Sequence, residues 1–161
     1  VGDALRVAVQ ALRKAGATLE EGWPQGMKPD EHYDAYLTIL FARMAGPQRE
    51  DQLEDLRKIA ATQDGSYQAK RARAITAPYG FHMQADGRGR GARGRWQAYF
   101  RTHDAFLLPT AFVPAFPHDH SPNMLDRVLQ TPGGPRPYLD LLFWISFANS
   151  VIGWTTRNSC R

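Results

Sequence analysis

Residues 29–44 read PDEHYDAYLTILFARM, and this stretch carries the clearest structural signal in the sequence. Pro29, Asp30 and Glu31 indicate a helix start, because proline is tolerated in the first turn and carboxylates stabilise the positive end of the helix dipole. Apolar and aromatic side chains then recur at helical spacing: Tyr33, Tyr36, Leu37, Leu40, Phe41 and Met44. The sequence therefore predicts an amphipathic helix that ends before Gly46.

Helical patterns also occur on both sides of this segment. They cover residues 3–15, 48–61, 66–75, 96–100 and 138–149. The last segment, YLDLLFWISFAN, is apolar nearly all round and predicts a fully buried helix. Residues 17–20 follow a helix and the sequence AGA, which predicts a short strand, and the apolar run at 105–108 predicts a second one. The fold class we expect is α/β and helix-rich, with about six helices and two or three short strands.

Two segments lack a repeating pattern. Residues 80–95 contain five glycines and four arginines, which predicts a loop. Residues 109–136 are Pro-rich and predict an irregular segment. Because no boundary stands out elsewhere, we interpret residues 1–161 as one domain.

Composition agrees with a folded chain. Of 161 residues, 43% are hydrophobic and 22% are charged, with a net charge of +4. The single Cys160 cannot form an internal disulfide, which favours a reducing cytoplasm. The sequence has no run of about 18 apolar residues, so no membrane association is expected.

Three segments support a family resemblance: VAVQALRKAGATLE (residues 7–20), WQAYFRTHDAFLLPTAFVPAFPHDHSP (96–122) and PYLDLLFWISFANSVIG (137–153). In order and spacing they resemble the C-terminal part of amidase signature hydrolases. The resemblance implies a fragment of a mixed-sheet α/β fold. It also implies hydrolysis of a small-molecule amide, or sometimes an ester, without metal or organic cofactor.

The family's catalytic residues are a Ser nucleophile, a second Ser in a cis peptide and a Lys. The serines here are unpaired: Ser66, Ser121, Ser146, Ser150 and Ser159. The resemblance therefore assigns no catalytic residue. Because a Pro-rich loop after a predicted buried strand is a common ligand position in α/β proteins, we expect a scaffold in which residues 109–122 form one wall of a substrate pocket. The pocket residues expected in this loop are Pro109, Thr110, Phe112 and Phe116. The tail 154–161 departs from the family pattern, which suggests a truncated or frame-altered reading of a longer gene.

Two other kinds of site deserve comparison with this interpretation. Ser121 with His103 and Asp104, or with His118 and His120, could form a non-family hydrolytic set, although no nucleophile-elbow motif surrounds the serine. His118, Asp119 and His120 carry groups that bind zinc, but no third ligand set follows at a familiar spacing. A hydrogen-bonded turn explains them more simply, and we predict no metal site.

A nucleic-acid or protein binding module that uses the Gly/Arg segment 87–95 is the alternative outside enzymes. Arg88, Arg90, Arg93 and Arg95 lie in the Gly/Arg segment 87–95, where they could neutralise phosphates beside the aromatic residues that follow. Those aromatic residues have helical spacing, which is explained as well by core packing. Apolar surface left exposed in a fragment could also support a homo-oligomer.

Overall fold

The computed structural model describes residues 2–152, with side chains through residue 149. Within this range the chain forms six α-helices, two short 3-10 helices and one two-stranded antiparallel sheet. The helices are α1 (Gly2–Lys14), α2 (Pro29–Met44), α3 (Glu50–Ala61), α4 (Tyr67–Thr76), α5 (Tyr79–Tyr99) and α6 (Leu142–Ile152). The strands are β1 (Val128–Thr131) and β2 (Gly134–Pro137), and the 3-10 helices are Met124–Asp126 and Tyr138–Leu141.

Helix α2 lies at the centre and packs against α4, α5 and α6. Its predicted stripe is confirmed, since Tyr33, Leu37 and Phe41 are buried. The stripe stops short of the helix end, where Met44 is 65% exposed. The periodicity of residues 29–44 thus identified the element around which the others assemble.

The first core cluster joins α2 to α4 and to the segment before α6. Tyr33, Leu37 and Phe41 meet Ala74 of α4 and Leu139. Ala69 and Ala72 of α4 are also buried. Small side chains on α4 permit a close approach of the two helices.

Two tyrosine hydroxyl groups link these elements inside the cluster. Tyr33 donates a hydrogen bond of 2.6 Å to the Leu139 carbonyl oxygen, and Tyr67 donates one of 2.6 Å to Oδ1 of Asp140. The two hydroxyl oxygens lie 3.1 Å apart. Burial raises the pKa of Tyr33 to about 12 and raises that of Tyr67 as well, so both stay protonated donors.

The second core cluster joins α5 to α6. Trp96 of α5 and Phe147 of α6 are buried with Met27, and Trp23 and Phe106 pack against them. The rings of Trp23 and Phe147 have centroids 4.6 Å apart. Aromatic contacts therefore join the segment before α2 to α6, and Trp96 places α5 in the same cluster.

The predicted loop at residues 80–95 is wrong, because this segment is helical within α5. Ala85, Ala92 and Trp96 recur on one face and are buried. Each interior glycine costs about 1 kcal/mol relative to alanine, but packing of an apolar face supplies most helix stability in proteins. The predicted short helix at 96–100 is the end of the same element.

The strand positions were also predicted wrongly. Residues 17–20 and 105–108 form no strand. Instead Phe106 and Leu108 pack against the second core cluster through their side chains. The described sheet pairs only β1 with β2. The sheet is a hairpin from Val128 to Pro137, mostly inside the segment predicted to be irregular. Gly134 has φ +108°, a conformation that glycine adopts without strain at the turn.

The remaining helix predictions have mixed outcomes. Helix α1 is present as expected, but none of its residues is buried. The predicted helix 138–149 begins as a 3-10 turn, and its full burial is wrong because Ile145 is exposed. The atypical tail 154–161 lies outside the described residues. No helix between residues 2 and 152 combines the length and apolar character needed to cross a membrane.

Removing the Tyr33 hydroxyl should destabilise the fold. Tyr33→Phe leaves the buried Leu139 carbonyl without its donor, at a cost of about 1–3 kcal/mol in unfolding free energy. Urea unfolding measures this cost, with Tyr79→Phe as the control because Tyr79 is 77% exposed. Equal stability of the two variants would contradict the role given to Tyr33.

Alanine substitution should reveal whether α5 is helical at its glycines. A Cβ at Gly87 or Gly94 would meet no atom within 4 Å, so each Gly→Ala change should stabilise the protein by roughly 0.5–1 kcal/mol. Gly65→Ala should instead destabilise, because Gly65 has φ +75°. Thermal unfolding distinguishes these outcomes, and no gain at either α5 position would argue for a loop.

Candidate functional site

A cleft of about 530 Å³ lies between α2 and α5, and Asn149 of α6 lines one side of it. Its apolar lining includes Ala35, Ile39 and Leu40 of α2 and Ala85 of α5. At Gly89 the lining has no side chain, so the cleft extends over the backbone of α5. Helix α5 opens this space because its glycines alternate with longer residues.

Charged groups surround the apolar part of the cleft. Arg43 comes from the last turn of α2, whereas Arg90 and Arg93 come from α5. Asp86 is the carboxylate in the lining, and it forms an ion pair with Arg90. Among the described lining residues, Arg43 and the Arg90–Asp86 ion pair therefore leave an excess of positive charge.

Neutral polar groups complete the lining. His32 is 6% exposed, and its Nε2 donates a 3.1 Å hydrogen bond to the carbonyl oxygen of Ser146. Burial lowers the pKa of His32 below its usual range, so the imidazole is neutral near pH 7. At the other side Asn149 Nδ2 lies 3.4 Å from the Tyr36 hydroxyl.

A second, smaller cleft of about 390 Å³ lies between α4 and the hairpin. Its lining includes Tyr67, Lys70, Arg127 and Asp140. Tyr67 and Asp140 bond to each other, and Lys70 forms an ion pair with Asp34. Much of its polar lining is thus already engaged in holding the fold together.

The predicted pocket wall is a loop held against the hairpin. The guanidinium of Arg136 lies 4.4 Å from the ring centroid of Phe112, and Phe116 packs edge-on against Tyr138 with centroids 6.0 Å apart. Of the four predicted residues, Pro109 and Phe112 are half-buried, while Thr110 and Phe116 are exposed. They line neither of the two clefts described above.

The predicted Ser121–His103–Asp104 set is not joined by hydrogen bonds among the described residues. Ser121 Oγ donates to Oδ1 of Asp119 at 2.6 Å. His103 stacks on Tyr99, and its Nε2 lies 3.1 Å from Oε2 of Glu20. The hydroxyl and the imidazole therefore have separate partners.

His118 and His120 lie close together on the exposed loop, with ring centroids 6.1 Å apart. Asp119 between them accepts hydrogen bonds from the backbone and hydroxyl of Ser121, and these bonds lower its pKa. This geometry is a polar turn. Within residues 2–152 no three His, Cys, Asp or Glu side chains are grouped to hold a metal ion.

The four arginines of the predicted Gly/Arg loop lie on α5 and face two ways. Arg90 and Arg93 line the cleft. Arg88 and Arg95 lie near Glu31, whose pKa is lowered mainly by the hydrogen bond from Lys28 and further by these two charges. Their spacing of seven residues places Arg88 and Arg95 on one helix face, away from the pair in the cleft.

Sequence reasoning missed Arg43, Tyr36 and Asn149 as candidate site residues. A helical interpretation of residues 80–95 would have put Arg90 and Arg93 on one face, three residues apart. Nothing in the sequence marked their proximity to Arg43, because that proximity depends on how α2 and α5 pack.

Comparison with family models, curated proteins and solved structures finds no match to this chain.

Stability should fall in mild acid because of His32. Its folded-state pKa lies below the unfolded value of 6.5, so the unfolded chain takes up a proton first as pH decreases. The stabilisation is complete above the unfolded pKa and is lost below it, with a slope of at most about 1.4 kcal/mol per pH unit. Urea unfolding between pH 7.5 and 5 measures the slope.

His32→Gln should flatten this pH dependence, since glutamine does not titrate. His118→Gln is the matched control, because His118 is exposed. If both variants kept the wild-type slope, burial of a neutral His32 would be the wrong explanation.

Proposed function

We propose that this chain is the scaffold portion of an amide-bond hydrolase and forms one wall of its substrate pocket with residues 109–122. The observation that carries the proposal is the fixed, partly exposed aromatic pair Phe112 and Phe116. The resemblance of residues 96–122 to amidase signature hydrolases supports the same assignment.

The aromatic pair is suited to contact the apolar part of a small amide. The Arg136 guanidinium packs on the ring of Phe112, and it also lies 2.8 Å from Oδ2 of Asp140. Asp140 in turn accepts the hydrogen bond of Tyr67 in the first core cluster. The wall is therefore connected to the core, and a pre-positioned ring loses little freedom when it binds a ligand.

The proposal assigns binding, and not bond cleavage, to this chain. The sequence contains no two serines placed together in a glycine-rich frame, and Ser121 donates to Asp119 instead of meeting a lysine or histidine. A hydrolase of this kind would work in the cytoplasm, where Cys160 stays reduced. Its substrates would be small carboxylic amides or esters.

Two alternatives from the sequence receive less support. A non-family site at His103, His118, His120 and Ser121 lacks a hydrogen-bonded relay between its serine and His103. Nucleic-acid binding would use arginines that face two sides of α5, which does not make one basic strip. Homo-oligomer formation stays a prediction, for which the exposed apolar side chains Val7 and Leu12 of α1 are candidates.

Titration with benzamide tests the proposed wall. NMR signals of residues 109–122 should shift, and Phe112→Ala with Phe116→Ala should weaken binding by about 0.5–1.5 kcal/mol per lost aromatic contact. Tyr79→Ala is the control, because it removes an exposed aromatic ring elsewhere. Ammonia release is measured in parallel and should not exceed the uncatalysed rate.

Two results would contradict the proposal. The pocket wall would be contradicted if benzamide shifted only NMR signals outside residues 109–122. It would also be contradicted if the shifts were unchanged in the variant that carries both Phe112→Ala and Phe116→Ala. Ammonia release that disappears in Ser121→Ala would show a working site in the chain itself.

A further inference from the structure

We infer that the cleft between α2 and α5 binds a small organic carboxylate with an apolar body. The inference does not depend on the proposed pocket wall, because none of Pro109, Thr110, Phe112 and Phe116 lines this cleft. It rests on the volume, the charge and the polar groups of the cleft.

The size and lining of the cleft fit a small ligand. Its volume of about 530 Å³ lies within the range of small-molecule sites, roughly 300–1,000 Å³. Ile39 and Leu40 supply aliphatic surface on one side, and Ala85 and Gly89 leave room on the other. Because these lining side chains are aliphatic, the ligand body that fits this part is apolar.

The charge of the lining selects an anion. Arg43 and Arg90 outnumber Asp86, which is the one carboxylate among the described lining residues. Arg90 is paired with Asp86, whereas Arg43 has no ion-pair partner in the part of the chain that the structure describes. Arginine presents a planar fork of donors that matches a carboxylate in two parallel hydrogen bonds. The Arg43 guanidinium is therefore the main anchor for the ligand.

A carboxylate fits better than a phosphate ester. The Asp86 carboxylate remains in the lining, and it repels a dianion more strongly than a monoanion. The Tyr36 hydroxyl, which lies 3.4 Å from Asn149 Nδ2, offers a further polar contact near the same charges. The ligand expected is a monoanionic aryl-alkyl or alkyl acid.

Calorimetric titration with 4-phenylbutyrate tests the inference directly. The acid should bind about tenfold more tightly than its neutral counterpart 4-phenylbutanamide, the ratio expected for one charge-assisted contact. Arg43→Gln should weaken binding of the acid by about the same factor of ten. Asp86→Asn should strengthen binding several-fold, because it releases Arg90.

Arg88→Gln is the matched control for charge. It removes the same positive charge from α5 on the face near Glu31, so the affinity should stay within about twofold at physiological salt. Ile39→Trp tests the apolar part, since it fills the cleft and keeps every arginine. That variant should abolish binding, and circular dichroism checks that each variant keeps its helices.

Several outcomes would overturn the inference. Equal affinity for the acid and the amide would contradict an anion site. Equal losses of affinity in Arg43→Gln and Arg88→Gln would show a general effect of charge instead of a specific contact with Arg43. Tighter binding of phenyl phosphate than of 4-phenylbutyrate would overturn the choice of carboxylate. Absence of binding at millimolar 4-phenylbutyrate would overturn the site itself.

Discussion

The hydrogen bond from Tyr33 to the Leu139 carbonyl is the contact on which the arrangement of elements depends most directly. It joins α2 to the 3-10 turn before α6 across more than a hundred residues of chain. Tyr67 of α4 lies beside it and bonds Asp140 of the same turn. Three elements distant in sequence thus meet at two buried hydroxyl groups, and buried polar groups of this kind are costly if left unpaired.

This polar contact is connected to the surface loop through a chain of side-chain contacts. Asp140 connects Tyr67 to Arg136, and Arg136 covers Phe112 on the loop that follows α5. On the other side of α2, the same helix contributes Ile39 and Arg43 to the cleft with α5. The loop and the cleft are separate surfaces, but both take their positions from α2.

The part of the fold that sequence predicts well is the part with strong helical periodicity. Residues 29–44 show this, because their apolar spacing and their start signals agree. Residues 80–95 show the opposite case, since glycine and arginine dominate there and the three buried positions Ala85, Ala92 and Trp96 are too sparse to mark a face. The short apolar run at 105–108 could not be distinguished from a strand, because packing of Phe106 on Trp23 joins segments far apart in sequence.

The candidate cleft was only partly visible from sequence for the same reason. Arg90 and Arg93 were identified as basic residues, but they were grouped with Arg88 and Arg95 in one predicted loop. Once the segment is helical, the rotation of about 100° per residue separates the four into two pairs. Arg43 enters the site only through tertiary packing, which no local pattern of residues contains.

The glycines of α5 have a dynamic consequence for the cleft. Without side chains at Gly87, Gly89 and Gly91, the helix backbone there has little cover, and a Cβ at Gly87 or Gly89 would meet only open space. Poorly covered helical turns open locally at lower free energy than buried ones, and their amide hydrogens exchange faster with water. The α5 wall of the cleft therefore opens locally more easily than the α2 wall. A molecule bound between the two helices would slow the opening of α5 and so slow the exchange of its amide hydrogens.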